Sequence, residues 1–205
     1  MPVRAKIRYS GGMNYLAHLH LATLANSSLL GNLMADYVRG QQLTQWPDDV
    51  AQGIALHRRI DAVTDALPQV RAARQLFRPQ TKRVAPITLD VVWDHFLARH
   101  WQRVVPDISL SAFLANAERQ IAPQLATTPE GFQQLNAWLW RERWLERYID
   151  VRFLQRVLQG MASRRPRLAA LADSYRDVEI NYQQLEVCFW QLYPQMMTRA
   201  AQKRL

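Results

Sequence analysis

Apolar residues recur every three or four positions along most of the chain, which is the spacing of one face of an α-helix. Proline, glycine and short polar stretches separate these periodic segments. We find no internal repeat and no low-complexity linker. The sequence therefore predicts an all-α, single-domain helical bundle. The predicted helices cover about residues 14–25 (capped by Asn14), 29–38, 48–63, 68 onward, 89–105, 110–121, 130–144, 151–159 and 178–193, with a short one opening at Pro166.

Several acidic and imidazole side chains fall on the apolar faces of these helices. His57 and Asp61, four residues apart, continue the apolar stripe of the third helix. Asp90 and Asp94 lie within or beside the apolar arc of the fifth helix, and Asp36 borders the apolar face of the second. Burying an unpaired carboxylate costs several kcal/mol, so we expect each of these groups to have a partner.

A divalent metal ion inside the bundle would account for these inward-facing groups together. Helical bundles build metal sites from His and carboxylate side chains three or four residues apart. His18 or His20 on the first helix is placed to add an imidazole, but the two point about 200° apart, so at most one reaches the site. Mixed nitrogen and oxygen ligation suits Mn²⁺, Fe²⁺ or Zn²⁺.

Each of these residues also has an ordinary structural interpretation. Asp61 can pair with a neighbouring arginine, Asp90 can cap its own helix, and Asp94 can meet an arginine of a later helix. His95 points away from the main apolar arc of its helix, and His100 can pack within it. The metal hypothesis is favoured because three separate helices turn acid or imidazole groups inward.

Charge and cysteine content narrow the function classes. The 205 residues carry 26 basic and 17 acidic side chains, a net charge of +9, which favours an acidic partner. Cys188 is the single cysteine, so no disulfide can form within the chain, as is typical of the reducing cytoplasm. No stretch approaches the roughly 20 apolar residues of a membrane helix, so we expect no membrane insertion. Residues 1–12 are interpreted as an N-terminal extension, from an upstream start or an expression vector, before a domain of residues 13–205.

Five segments, taken in order, resemble the acyl carrier protein phosphodiesterases, also called acyl carrier protein hydrolases. The similarity runs from Met13 to near the C-terminus, and several long motifs are more specific than one short pattern. The segments are NYLAHLHLA (14–22), GNLMAD (31–36), LHRRID (56–61), DVVWDHFL (90–97) and GMASRRP (160–166).

The resemblance implies a reaction and a cofactor. Members of this family hydrolyse the phosphodiester of holo-acyl carrier protein, releasing 4′-phosphopantetheine and apo-acyl carrier protein. They need a divalent cation, typically Mn²⁺, and are distant relatives of the helical HD-domain phosphohydrolases. No histidine of this chain is followed by aspartate, so HD ligands cannot be carried over directly. The expected metal ligands are His20, Asp36, His57, Asp61 and Asp94.

The same reaction suggests roles for other residues. Asp61, Asp90 or His95 would steer the water or protonate the leaving group. The basic surface would orient the acidic carrier protein, with Ser163 to Arg167 and the arginines between Arg141 and Arg156 as candidate patches. Each arginine is also compatible with an ordinary solvated helix face. The expected phosphate-binding residues are Arg39, Arg58, Arg59 and Arg83 (with Lys82 beside it), together with Arg164 and Arg165.

Three other functions were considered. A nucleic-acid-binding helical protein would explain the charge, but it predicts exposed aromatics among basic residues, whereas most aromatics here have core spacing. A structural adaptor would bind no metal. A metal-dependent phosphohydrolase acting on a nucleotide or other small phosphoester would cleave a model phosphodiester efficiently, without a folded protein partner.

Overall fold

A computed structural model describes residues 15–205. The proposed cap Asn14 and the extension of residues 1–12 lie outside the described residues. The described part contains twelve α-helices and no strand, which confirms the all-α, single-domain prediction. The helices are α1 (Tyr15–Leu24), α2 (Leu29–Met34), α3 (Asp48–Ala66), α4 (Pro68–Gln75), α5 (Ala85–Arg99), α6 (Trp101–Val104), α7 (Leu110–Ile121), α8 (Glu130–Arg141), α9 (Trp144–Arg147), α10 (Val151–Arg164), α11 (Leu171–Ile180) and α12 (Tyr182–Ala201).

Helix α1 is the central element of the bundle. Its first eight residues, from Tyr15 to Ala22, are all buried, including both histidines. It packs against α2, α3, α5 and α12, so little of its surface faces solvent. A helix covered on all sides is apolar around its whole circumference, and the sequence of α1 has that character. No helix of the described chain is long and apolar enough to cross a bilayer.

Several predicted helix boundaries were wrong. The second helix ends at Met34 and continues as a 3₁₀ turn, Ala35–Tyr37. The predicted helix over 89–105 starts earlier, at Ala85, and is interrupted at His100, and the one over 130–144 ends at Arg141 before a left-handed residue at Arg143. The stretch 178–193 belongs to two helices that divide at Asn181, while α10 continues past 159 to Arg164.

Two glycines allow α2 and α3 to cross closely. A Cβ atom on Gly31 would lie 2.3 Å from the carbonyl oxygen of Val50, and one on Gly53 would lie 2.9 Å from the carbonyl oxygen of Ser28. Both distances are far below van der Waals contact, so only glycine fits at either position. This crossing sets the distance between the backbone of α2 and the side of α3 that carries His57 and Asp61.

Candidate metal centre

His57 is held in one orientation by the backbone of α2. Its Nδ1 lies 2.7 Å from the carbonyl oxygen of Asn32, which can only accept a hydrogen bond. The proton is therefore assigned to Nδ1, and Nε2 faces the carboxylates. Nε2 lies 3.5 Å from Oδ1 of Asp36 and 3.3 Å from Oδ2 of Asp61. Such an outer hydrogen bond commonly fixes the tautomer of a metal-binding histidine.

His18 completes the group from the opposite helix. Its ring stacks on that of His57, with centroids 3.7 Å apart and planes 13° apart. Its Nε2 lies 3.1 Å from Oδ1 of Asp61, so both imidazoles present Nε2 to the same carboxylate. The two histidines are buried, whereas the Asp61 side chain is 39% exposed. Solvent and ligands therefore reach the group from the Asp61 side.

The pKa values show how strongly these groups interact. Burial alone would lower the pKa of His57, but hydrogen bonding to Asp36 and Asp61 raises it above its usual value. Burial and the adjacent His57 lower the pKa of His18. Burial would raise the pKa of Asp61, but hydrogen bonding to His18 and His57 lowers it. The carboxylates thus favour positive charge at this position, whether on an imidazole or on a bound cation.

The geometry and the donor set fit a divalent transition metal. One ligand atom each from His18, His57 and Asp61 lie within 4.8 Å of one another. Ligands about 2.1 Å from a metal and at right angles to each other are about 3 Å apart, similar to the separations observed here. Two imidazoles and a carboxylate suit Mn²⁺, Fe²⁺ or Zn²⁺ better than Ca²⁺.

The structure does not place His20 or Asp94 in this group, although both were expected as ligands. Nδ1 of His20 lies 2.8 Å from the hydroxyl of Tyr193, and burial lowers the pKa of His20 to about 4. Its ring packs among aromatic side chains instead. Asp94 accepts hydrogen bonds of 2.9 Å from the backbone N–H groups of Leu16 and Ala17. It caps the start of α1, a structural role that explains this buried acid and differs from the arginine pairing considered for it.

Of the three residues expected in catalysis, Asp61 belongs to the group, Asp90 lies near it, and His95 does not. Burial raises the pKa of Asp90 well above its usual value, and repulsion from Asp61 and Asp65 adds to this effect. His95 was expected to point away from the core, but it is completely buried. Its Nδ1 lies 2.6 Å from the carbonyl oxygen of Tyr148 and its Nε2 lies 2.7 Å from the hydroxyl of Tyr182, so both ring nitrogens are occupied.

The arginines expected to bind phosphate differ in their hydrogen bonds and in their exposure to solvent. Arg58 donates to the carbonyl oxygens of Val38 and Gly40, at 3.0 and 2.8 Å, and thereby holds the segment that follows Asp36. Arg59 donates to the carbonyl oxygen of Leu205. The rest lie on the surface: Arg39 and Arg83 are exposed, Arg164 is exposed at the end of α10, and Arg165 beside it is partly buried.

Sequence reasoning missed two contributors to the site. It left His18 and His20 as alternatives and then chose His20. It also gave no role to Asn32, whose contribution is a backbone carbonyl that carries no side-chain signal. The side chain of Asn32 bonds to Ser27 and to the carbonyl oxygen of Ser28, which fixes that turn of α2.

Comparison with known proteins identifies the family. The family model described as acyl carrier protein phosphodiesterase matches residues 13–196. Three relatives, each named acyl carrier protein phosphodiesterase, align over 193 residues that cover 94% of this chain and all of the relative. They come from Serratia proteamaculans (strain 568), at 62% identity, Klebsiella pneumoniae subsp. pneumoniae, at 59%, and Salmonella newport (strain SL254), at 58%. No solved structure gives a significant match.

The chain belongs to the acyl carrier protein phosphodiesterase family. This confirms the resemblance drawn from the five sequence segments. The region matched by the acyl carrier protein phosphodiesterase model includes α1, the 3₁₀ turn after α2, and α3, which carry His18, Asp36, and His57 with Asp61. The relation to HD-domain enzymes stays a prediction.

Proposed function

We propose that the chain hydrolyses the phosphodiester of holo-acyl carrier protein, leaving apo-carrier and free 4′-phosphopantetheine. Family membership across residues 13–196 is the observation that carries this proposal. A buried centre of two imidazoles and a carboxylate, open on one side, supports it, because hydrolysis of a phosphodiester needs an activated water and charge neutralisation at phosphorus. With Cys188 as the only cysteine, we place the reaction in the cytoplasm.

We further propose that His18, His57 and Asp61 hold a divalent metal, with Mn²⁺ as the expected ion, and that Asp36 assists on the same side. When bound, such an ion lowers the pKa of a coordinated water and neutralises charge on the phosphoryl oxygens. We remove His20 and Asp94 from the ligand set proposed from the sequence, because their polar atoms already form hydrogen bonds with other groups of the protein.

The remaining chemistry is assigned to Asp61, to Asp90 and to exposed arginines. Asp61 is both part of the centre and 39% exposed, so it is placed to orient the attacking water toward substrate. Asp90 is the proposed proton donor to the leaving serine oxygen, because burial raises the pKa of its carboxyl group and so favours the protonated form. Arg39 and Arg83 are the proposed phosphate-binding arginines, since both are exposed.

The proposal is tested by the mass of the carrier protein. Purified enzyme is incubated with holo-acyl carrier protein and Mn²⁺, or with a chelator, and the carrier is followed by intact mass spectrometry. The proposal predicts a metal-dependent mass loss equal to phosphopantetheine. His57→Ala should abolish the loss, whereas His100→Ala, a partly buried histidine outside the centre, should retain it.

An unchanged carrier mass with every divalent metal contradicts the proposed substrate. If the enzyme nevertheless cleaves a small phosphodiester in a His57-dependent reaction, the substrate is a nucleotide or another small phosphoester. Full activity in His57→Ala contradicts the proposed centre.

A further inference from the structure

The segment that forms α10 and the turn after it is strongly basic. Residues 151–172 contain five arginines and no acidic residue, in a chain whose net charge is +9. Arg152, Arg156 and Arg164 lie on α10 at spacings of four and eight residues, so they share one side of the helix, and all three are exposed. We call this surface of α10 the arginine face. Gly160 lies on the same side of α10, four residues after Arg156 and four before Arg164.

Gly160 has no packing reason to be glycine. A Cβ atom added there would meet nothing within 4 Å, whereas one added at Gly31 or Gly53 would collide with a neighbouring helix. Glycine is among the least favourable residues in a helix interior, and Gly160 stands inside α10. The missing side chain leaves the helix backbone open between Arg156 and Arg164. Such an opening allows another chain to approach closely.

The basic surface continues beyond both ends of α10. At one end the Arg147 guanidinium lies 4.4 Å from the ring centroid of Phe153, and these two residues line a surface depression with Asp150, Arg152 and Arg156. At the other end Arg167 is exposed in the turn that follows the helix. Arg152 pairs with Asp150 at 3.1 Å, but both side chains are at least half exposed and such pairs exchange easily.

We propose that the arginine face is the docking surface for the carrier protein, with an acidic surface of the carrier lying along α10 and passing over Gly160. This inference rests on the proposed function. The excess of arginine over acidic residues on and beside α10 favours an acidic partner and speeds its encounter. Nucleic acid is the other anionic polymer, but α10 exposes no aromatic side chain on which bases could stack.

One helix separates α10 from the helix that carries His18. Helices α1 and α10 both pack against α5. Packed helices are about 8–10 Å apart, so the axes of α10 and α1 are at most about 20 Å apart. This separation is comparable to the size of a small carrier domain, because a domain of about 100 residues has a radius of gyration of about 13 Å.

The test uses one charge reversal and one steric block on the arginine face. Arg156→Glu should raise the KM for holo-acyl carrier protein by about tenfold, with a reduced salt dependence. Gly160→Leu should raise KM to a similar extent because its side chain fills the opening. Arg119→Glu and Ala112→Leu make matched changes at exposed positions of α7 and should leave KM at the wild-type value. Circular dichroism and Mn²⁺ affinity, measured by titration calorimetry, check that each variant keeps its fold and metal centre.

The outcomes separate this inference from the proposed function. If the wild type releases phosphopantetheine while Arg156→Glu and Gly160→Leu keep the wild-type KM, the docking surface is wrong and the proposed function stands. If the wild type releases none, the proposed function fails. If both α10 variants lose binding of a duplex DNA but not of the carrier, the arginine face belongs to nucleic acid and the inference is overturned.

Discussion

Replacing Gly31 by alanine tests whether the α2–α3 crossing positions the candidate metal centre. The new Cβ would lie 2.3 Å from the carbonyl oxygen of Val50. Carbon–oxygen contacts between packed helices are about 3.3 Å or longer, so the two helices must separate by about 1 Å at this point.

The consequence reaches His57 directly. Its Nδ1 is 2.7 Å from the carbonyl oxygen of Asn32, the residue after Gly31. An opening of about 1 Å lengthens this distance to roughly 3.7 Å, which is no longer a hydrogen bond. Overpacking costs about 1–3 kcal/mol, and a buried polar group left without its partner costs about 1–3 kcal/mol. We expect Gly31→Ala to lower the free energy of unfolding by about 2–6 kcal/mol.

Urea unfolding and Mn²⁺ titration calorimetry measure the two effects. Gly160→Ala is the matched control, because its Cβ meets nothing within 4 Å. The same substitution there should raise the free energy of unfolding by about 0.5–1 kcal/mol and leave Mn²⁺ affinity unchanged. If Gly31→Ala unfolds at the wild-type urea concentration and binds Mn²⁺ as the wild type does, the crossing does not have the role assigned to it.

Three further predictions concern polar side chains that form hydrogen bonds with the backbone. Asp94→Ala leaves two backbone N–H groups of α1 without acceptors and should lower the free energy of unfolding by about 2–4 kcal/mol in urea; an unchanged value contradicts the capping role. Burial lowers the pKa of His95 from 6.5 to about 4, so the unfolded chain takes up this proton first as the pH falls. Through His95 the free energy of unfolding should therefore drop by about 2 kcal/mol between pH 7.5 and pH 5, so in urea titrations at the two pH values the drop should be smaller by this amount in His95→Asn than in the wild type; equal drops in both proteins contradict the assignment. Arg58→Ala frees the segment behind Asp36 and should weaken Mn²⁺ binding by roughly 10-fold or more, whereas equal affinities in Arg58→Ala and Arg59→Ala would contradict a positioning role.

The spacing of His57 and Asp61 was informative because α3 is amphipathic. One side of α3 is buried and the other is exposed, so an acid on the buried stripe stands out in the sequence. The structure brings these two residues together, with Asp36 beside them. The glycines at the crossing and the carbonyl of Asn32 gave no comparable signal, because their roles depend on the distance between two helices.

The spacing of apolar residues in α1 could not show which of His18 and His20 faces the metal centre. Helix α1 is buried all round, so both histidines occupy core positions and neither side is marked by solvent-facing residues. The same reason explains why the direction of His95 was wrongly predicted, because α5 is buried continuously from Val91 to Ala98. A helical pattern identifies an inward direction only where part of the helix faces water.

The location of the metal is the measurement that tests the account most directly. Crystals of the enzyme soaked in Mn²⁺ can be measured at the manganese absorption edge, and the anomalous difference map locates the ion. The proposed centre requires a peak within bonding distance of Nε2 of His18, Nε2 of His57 and the carboxylate of Asp61. A peak bound instead by His20 or Asp94, or no peak at this centre under conditions in which the enzyme is active, would contradict it.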